Sequence, residues 1–204
     1  MKKFYTSIPL QVRGNLGKYV YAPVGNSRLG MEEPTSFPII PAINGYVEPG
    51  ERFRLIAVVP DSEDGKRNMA ALEQEIGALC ARKGIVCERG VETVAAAEDE
   101  RVSSHTGVFQ SLIDFAEEDD ELFACVTYGT KPQSMTLLMA VQYAYRMKKN
   151  ASVSCIVYGK VDHNTKDAFI YDETALVQMD EIVRMLAERK VPNPKAVIDG
   201  LLSL

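Results

Sequence analysis

The stretch Tyr128-Gly129-Thr130-Lys131 joins an apolar run, ELFAC (121–125), to a long apolar segment that begins near Ser134. At the turn from a strand's carboxyl end into a helix amino terminus, the first N–H groups have no intrahelical acceptor. The dipole there is positive, so an anion is favoured. Glycine lets the backbone come close to a ligand, and lysine adds a full charge. Gly129 and Lys131 fill those roles, and Ser134 either caps the helix or turns its hydroxyl to the ligand. The chemistry that suits these residues is phosphate binding; the bland alternative is a plain β–α turn. The spacing GxxxxGK[ST] is absent, which excludes a P-loop hydrolase, and no GxGxxG follows the first strand.

Other reactive residue types are less well placed. Arg101 and His105 have the identities of a ribonuclease pair, but they precede a short helix and read as its cap region. Residues 117–121, EEDDE, read as a solvated charge run rather than a metal site. Asp172 and Glu173 could be catalytic carboxylates but lack a third acidic partner at a recognisable spacing. Cys80, Cys87, Cys125 and Cys155 contain no CxxC pair and read as reduced core thiols. With only two histidines, His105 and His163, a His-rich metal centre is not expected, and for want of a dinucleotide fingerprint no cofactor is expected either.

These residues need elements to position them. KFYTSIPL (3–10) reads as a first strand, followed by a glycine- and proline-rich stretch, 11–51, expected to be an inserted β-hairpin and loops. It contains the short alternating pieces KYVYAPV (18–24) and FPIIPAI (37–43). FRLIAVVP (53–60) is a continuous apolar strand of the kind covered on both faces. Met69, Leu72, Ile76, Leu79 and Cys80 form the apolar stripe of a helix over 65–83 that Gly84 closes. IVCERGVETV (85–94) is strand-like, and Ser103 or Ser104 is expected to cap a helix burying Val108, Phe109, Leu112 and Phe115. ELFACVTY (121–128) is another buried strand, with a helix at 134–149. SVSCIVYGKV (152–161) and DAFIYDE (167–173) form a hairpin, and an amphipathic helix spans about 176–190.

Alternating strands and helices imply an α/β fold with a doubly wound, mainly parallel, Rossmann-like sheet that ends in a β-hairpin plus helix. Ligands bind such sheets outside the carboxyl ends of the strands. Thr6 and Ser7 then share an edge with Tyr128–Lys131. The expected domain is 1–190, with 191–204 a tail. The helix at 134–149 is apolar on two faces, Met135, Leu138 and Met139 on one and Leu137, Ala140, Val141 and Ala144 on the other. Its second face is covered either within the chain or by a second subunit.

The 204 residues carry a net charge of −5, which argues against tracking long nucleic acid. No run approaches the roughly 20 apolar residues of a membrane span, and the amino terminus does not read as a signal peptide, so a cytoplasmic protein is expected.

In their order, these motifs resemble the CARF domain, the CRISPR-associated Rossmann fold, particularly the Csx-type proteins of type III CRISPR systems. Four features carry the resemblance: a first strand ending in Thr6-Ser7-Ile8-Pro9, the loop and helix YGTKPQSM, a hairpin opening SCIVYGKV, and the closing strand Ile170-Tyr171-Asp172-Glu173-Thr174. The match runs from about residue 3 to 190. It departs at Tyr128, where many relatives carry a second glycine. The insertion 11–51 stands in place of the expected first helix, as a lid or rim.

The resemblance implies a homodimer whose two Gly-Thr-Lys loops face each other and bind cyclic oligoadenylate, the messenger of type III CRISPR antiviral defence. The ligand-binding residues it implies are Thr6, Ser7, Ile8, Tyr128, Gly129, Thr130, Lys131 and Ser134. Two functions fit. A sensor would bind without chemistry. A metal-independent ring nuclease would align a ribose 2′-hydroxyl on the adjacent phosphate and leave a 2′,3′-cyclic phosphate end, with Lys131 stabilising the phosphorane and Ser7 or Thr6 orienting the phosphate or the 2′-hydroxyl. No histidine sits beside these motifs in the sequence for acid–base work.

Overall fold

The computed structural model describes residues 1–11, 16–162 and 164–203. Seven strands form one sheet: β1 Lys2–Ser7, β2 Ala22–Val24, β3 Arg52–Pro60, β4 Val86–Ala96, β5 Glu121–Cys125, β6 Ser152–Val161 and β7 Ala168–Asp172. The helices are α1 Ile39–Tyr46, α2 Glu63–Lys83, α3 Val102–Ile113, α4 Lys131–Met147, α5 Thr174–Glu188 and α6 Pro194–Leu202. The strand order is β2-β7-β6-β5-β1-β3-β4. Neighbours are parallel except β6 and β7, which form the antiparallel hairpin expected from the sequence.

The central strands are apolar along their length because both sheet faces are covered. Successive side chains alternate between the faces. Phe4, Leu55 and Phe123 pack on one side with α1 and α2 residues such as Ile40, Leu72 and Ile76. Tyr5, Ile56 and Ala124 pack on the other with Leu112 of α3 and Leu137, Ala140 and Val141 of α4. Helix α2 starts where Ser62 accepts from the Gly65 N–H at 3.0 Å and stops at Gly84, which is left-handed. Among the described residues, no helix is long and apolar enough to cross a membrane.

The 11–51 segment is not a hairpin. Its described part holds the three-residue strand β2, which extends the sheet edge parallel to β7, a 3₁₀ turn at Ser27–Leu29, and α1. FPIIPAI (37–43) enters this helix, because Pro38 and Pro41 fall at its cap and first turn, where no N–H is needed. Ile39 to Ile43 are all buried, so the segment lacks the one-sided period that identifies a surface helix. Helix α3 also differs: it starts at Val102, and neither Ser103 nor Ser104 caps it. The Ser104 hydroxyl instead donates to Asp99 at 2.6 Å. Within residues 191–204, the expected tail or linker, Pro194–Leu202 form α6.

In the charge run at 117–121, Glu117, Glu118 and Asp119 are exposed, as expected of a solvated run, but Asp120 is buried. Lys3 on β1 has no exposed surface, and its ammonium meets the Glu117 and Asp120 carboxylates and the Phe115 carbonyl. Arg54 on β3 pairs in a fork with Glu92 at 2.7 and 2.8 Å and reaches Glu117 at 3.4 Å. These acids lie at the amino edge of the sheet because cations on two neighbouring central strands are buried there.

Candidate functional site at the sheet's switch point

Strand β1 pairs with β3 on one side and β5 on the other. The connections run outward in opposite directions from this pair, so a crevice opens at the carboxyl ends of β1 and β5, where doubly wound sheets take ligands. Thr6 lies opposite Cys125 in register. The sheet thus brings the end of β1 and the loop Val126–Thr130 together, as expected for Thr6–Ser7 and Tyr128–Lys131.

Gly129 has φ +90°, in the region that favours glycine. A β-carbon there would lie 2.3 Å from the Gln133 Oε1 and 3.2 Å from the Ser7 β-carbon. The loop backbone is therefore pressed against Ser7, and only glycine permits that approach. The Ser7 hydroxyl is buried yet has no hydrogen-bond partner among the described residues. An unsatisfied buried hydroxyl is costly and uncommon.

Thr130, not Ser134, caps α4: its hydroxyl accepts from the Gln133 N–H. Helix formation starts at Lys131 because Pro132 is preorganised for the first turn. The Ser134 N–H is consumed by the Thr130 carbonyl at 3.0 Å. Among the described residues, the backbone N–H groups of Gly129, Thr130 and Lys131 meet no protein acceptor. Nor does the exposed Lys131 ammonium form an ion pair with them. Among the described residues, an unpartnered hydroxyl, unpartnered N–H groups and a lysine without an ion pair thus lie at or beside the loop that enters α4.

The other expected residues lie at different depths. Thr6 is buried, its hydroxyl directed to the Ser7 carbonyl at 3.4 Å. Ile8 is fully buried in the core, with its N–H on the Val58 carbonyl at 2.9 Å. The Tyr128 hydroxyl donates to the Ser36 carbonyl at 2.6 Å, and its ring meets Phe37 edge-on. Burial pushes the Tyr128 hydroxyl well above the ordinary tyrosine range. This tyrosine ties the loop to the 11–51 segment, which borders the site.

Two cavities flank the loop. Toward β6 lies one of about 590 Å³, lined by Tyr19, Tyr21, Tyr128, Tyr158, Lys160 and Lys166 among others. Aromatic faces beside ammonium groups suit a planar base carried on a phosphate. Burial pushes the Tyr21 hydroxyl up to about 12, so it stays a neutral donor at physiological pH. Toward β3 and β4 lies a cavity of about 290 Å³, whose lining includes Glu98, Asp99, Glu100, His105, Thr130 and Gln133. One Glu100 oxygen meets both the Thr130 hydroxyl and the His105 Nε2, each at 3.2 Å.

From the sequence, His105 reads as part of a helix cap region, with nothing local to link it to the loop. Packing of α3 on α4, marked by Phe109 against Tyr143, carries it back to the loop. His163 lies outside the described residues. Among the described residues, no three His, Cys, Asp or Glu side chains are grouped so as to hold a metal ion.

No protein-family model matches this chain, and no curated protein is significantly similar to it.

Proposed function

We propose that this protein is a CARF-type receptor for cyclic oligoadenylate that opens the ring slowly without a metal ion. The observation that carries the reading is the buried, unpartnered Ser7 hydroxyl packed beside Gly129, at a helix terminus whose N–H groups are free. The oxygens of a phosphate group would offer acceptors to these donors, and Lys131 would share its charge. The tyrosine- and lysine-lined cavity supports adenylate as the phosphate's carrier. Lys131 then stabilises the extra charge as a 2′-hydroxyl attacks, with Ser7 orienting the phosphate. In this reading, the protein works in the cytoplasm.

Two copies complete the site in this proposal. The inner face of α4, with Leu137, Ala140, Val141 and Ala144, is buried. Leu138 is half-buried, while Met135 and Met139 are 63% and 55% exposed. Helix α5 covers only the far half of α4, through Gln142, Arg146, Asp180 and Glu181. A second copy seated on the methionine face would bring two Lys131 residues to one cyclic ligand. Light scattering should give twice the 22.6 kDa chain mass, and Met139→Glu should halve it while the protein stays folded. A wild-type monomer would refute the dimer.

The functional test is titration with cyclic tetra-adenylate and cyclic hexa-adenylate in chelator, followed by analysis for linear product. Binding with slow appearance of a 2′,3′-cyclic phosphate end is the expected outcome. Binding without product would favour the plain sensor, alone or serving a partner effector. No binding of either ring would overturn the reading.

A further inference from the structure

We infer that His105 is the proton-transfer group of this site and that Glu100 is its positioning residue. The inference rests on the proposed cleavage of an RNA-type phosphodiester, and it adds a residue that the fold motifs do not include. Three observations lead to it. The Glu100 carboxylate is shared between the His105 Nε2 and the Thr130 hydroxyl, both at 3.2 Å, which couples the imidazole to the loop that caps α4. His105, Glu100 and Thr130 line one cavity of about 290 Å³. The His105 side chain is only 18% exposed, and among the described residues its other ring nitrogen, Nδ1, has no protein partner.

The charge distribution assigns the parts of a substrate. Glu98, Asp99 and Glu100 make the cavity unfavourable for phosphate but suited to a hydroxyl donor. The phosphate goes to the free N–H groups and Lys131, and the ribose 2′-hydroxyl on its 3′ side turns toward the acidic cavity. His105 accepts the 2′-hydroxyl proton as the 2′-oxygen bonds to phosphorus. The bond from phosphorus to the 5′-oxygen breaks, and the imidazolium returns the proton to that leaving oxygen. The products are a 2′,3′-cyclic phosphate and a 5′-hydroxyl, with no water, metal or redox partner consumed. Glu100 holds the ring in place and stabilises the imidazolium.

The test uses cyclic tetra-adenylate and cyclic hexa-adenylate in chelator, with binding, cleavage and melting measured on each protein. For His105→Ala, affinity should stay within about threefold, while single-turnover cleavage falls about 100-fold or more, in line with general acid–base catalysis. Added imidazole should restore part of that rate, which a purely structural histidine would not allow. Glu100→Gln should lower kcat with KM unchanged, and His105→Asn serves if the alanine variant melts early. Cleavage at the wild-type rate by both folded histidine variants overturns the inference, as does a loss that merely follows lost binding or lost fold. If wild type binds either ring but never cleaves it, the inference fails while the receptor reading stands. If wild type binds neither, both fail.

Discussion

The two edges of the sheet treat their polar side chains in opposite ways. At the amino edge, Lys3 and Asp120 are almost wholly buried, and the network extends through Glu117 and Arg54 to Glu92. At the carboxyl edge, the Ser7 hydroxyl is as deeply buried but has no partner, and Lys131 has no ion pair among the described residues. Burial is similar but pairing differs: the Asp120 Oδ1 also lacks a hydrogen bond, yet it faces the amino-terminal ammonium at 3.7 Å and its carboxylate meets Lys3 through the other oxygen. The difference suits the proposed reading, in which the paired groups at the first edge serve folding and those at the second keep bonding capacity for a ligand.

The contrast breaks most visibly at Lys3. Lys3→Ala strands a buried carboxylate, and removing one partner of a buried pair costs about 3–5 kcal/mol. For a chain of this size, that lowers Tm by roughly 10 °C or more. Ligand affinity of the folded variant should not change. A fall below about 2 °C in thermal scans would show that the amino-edge network contributes little to folding.

Lys131→Ala should show the opposite pattern. Losing one charge-assisted contact, worth about 1.5–3 kcal/mol, weakens cyclic oligoadenylate binding by about 10- to 100-fold per lysine. Tm should move by about 1 °C or less, because an exposed loop lysine adds little to folding. Calorimetric titration beside melting curves measures both, and equal affinities would remove the ligand from this loop.

The smallest effect concerns acid. The hydrogen bond from Lys3 holds the Glu117 carboxyl below its ordinary value; desolvation opposes it, and the charges of Lys3 and Arg54 add smaller lowering effects. A depressed folded-state pKa contributes stability above the unfolded value that disappears as pH falls through the folded one. Tm should therefore be flat in this respect from pH 7 to 5 and decline modestly below about pH 4.3. Glu117→Gln should flatten part of that decline. An identical acid profile in the variant would remove Glu117 from the account.

The parallel core was legible in the sequence because strands buried on both faces leave continuous apolar runs, as in FRLIAVVP and ELFAC. The loop's place was legible because Gly129 and Lys131 fall where an apolar run ends and a helix begins. Helix α1 was not, since burial on most sides erases the amphipathic period and two prolines suggested breaks. The Glu100–His105 pair was not, because its nearness to Thr130 comes from packing of α3 on α4 and has no local signature. The burial of Asp120 within the otherwise exposed charge run had no local signature for a related reason: its cation partner Lys3 lies on β1, far away in sequence.

Ser7→Ala tests the contrast most directly, because stability and binding should move in opposite directions. Deleting a buried hydroxyl that has no partner relieves a desolvation cost on the order of 1 kcal/mol, so Tm should rise by about 2–4 °C. The same deletion removes a donor to the phosphate, and affinity for cyclic oligoadenylate should fall about tenfold. A lowered Tm with unchanged affinity would contradict the account, making Ser7 a packing residue and leaving the carboxyl edge no different in kind from the amino edge.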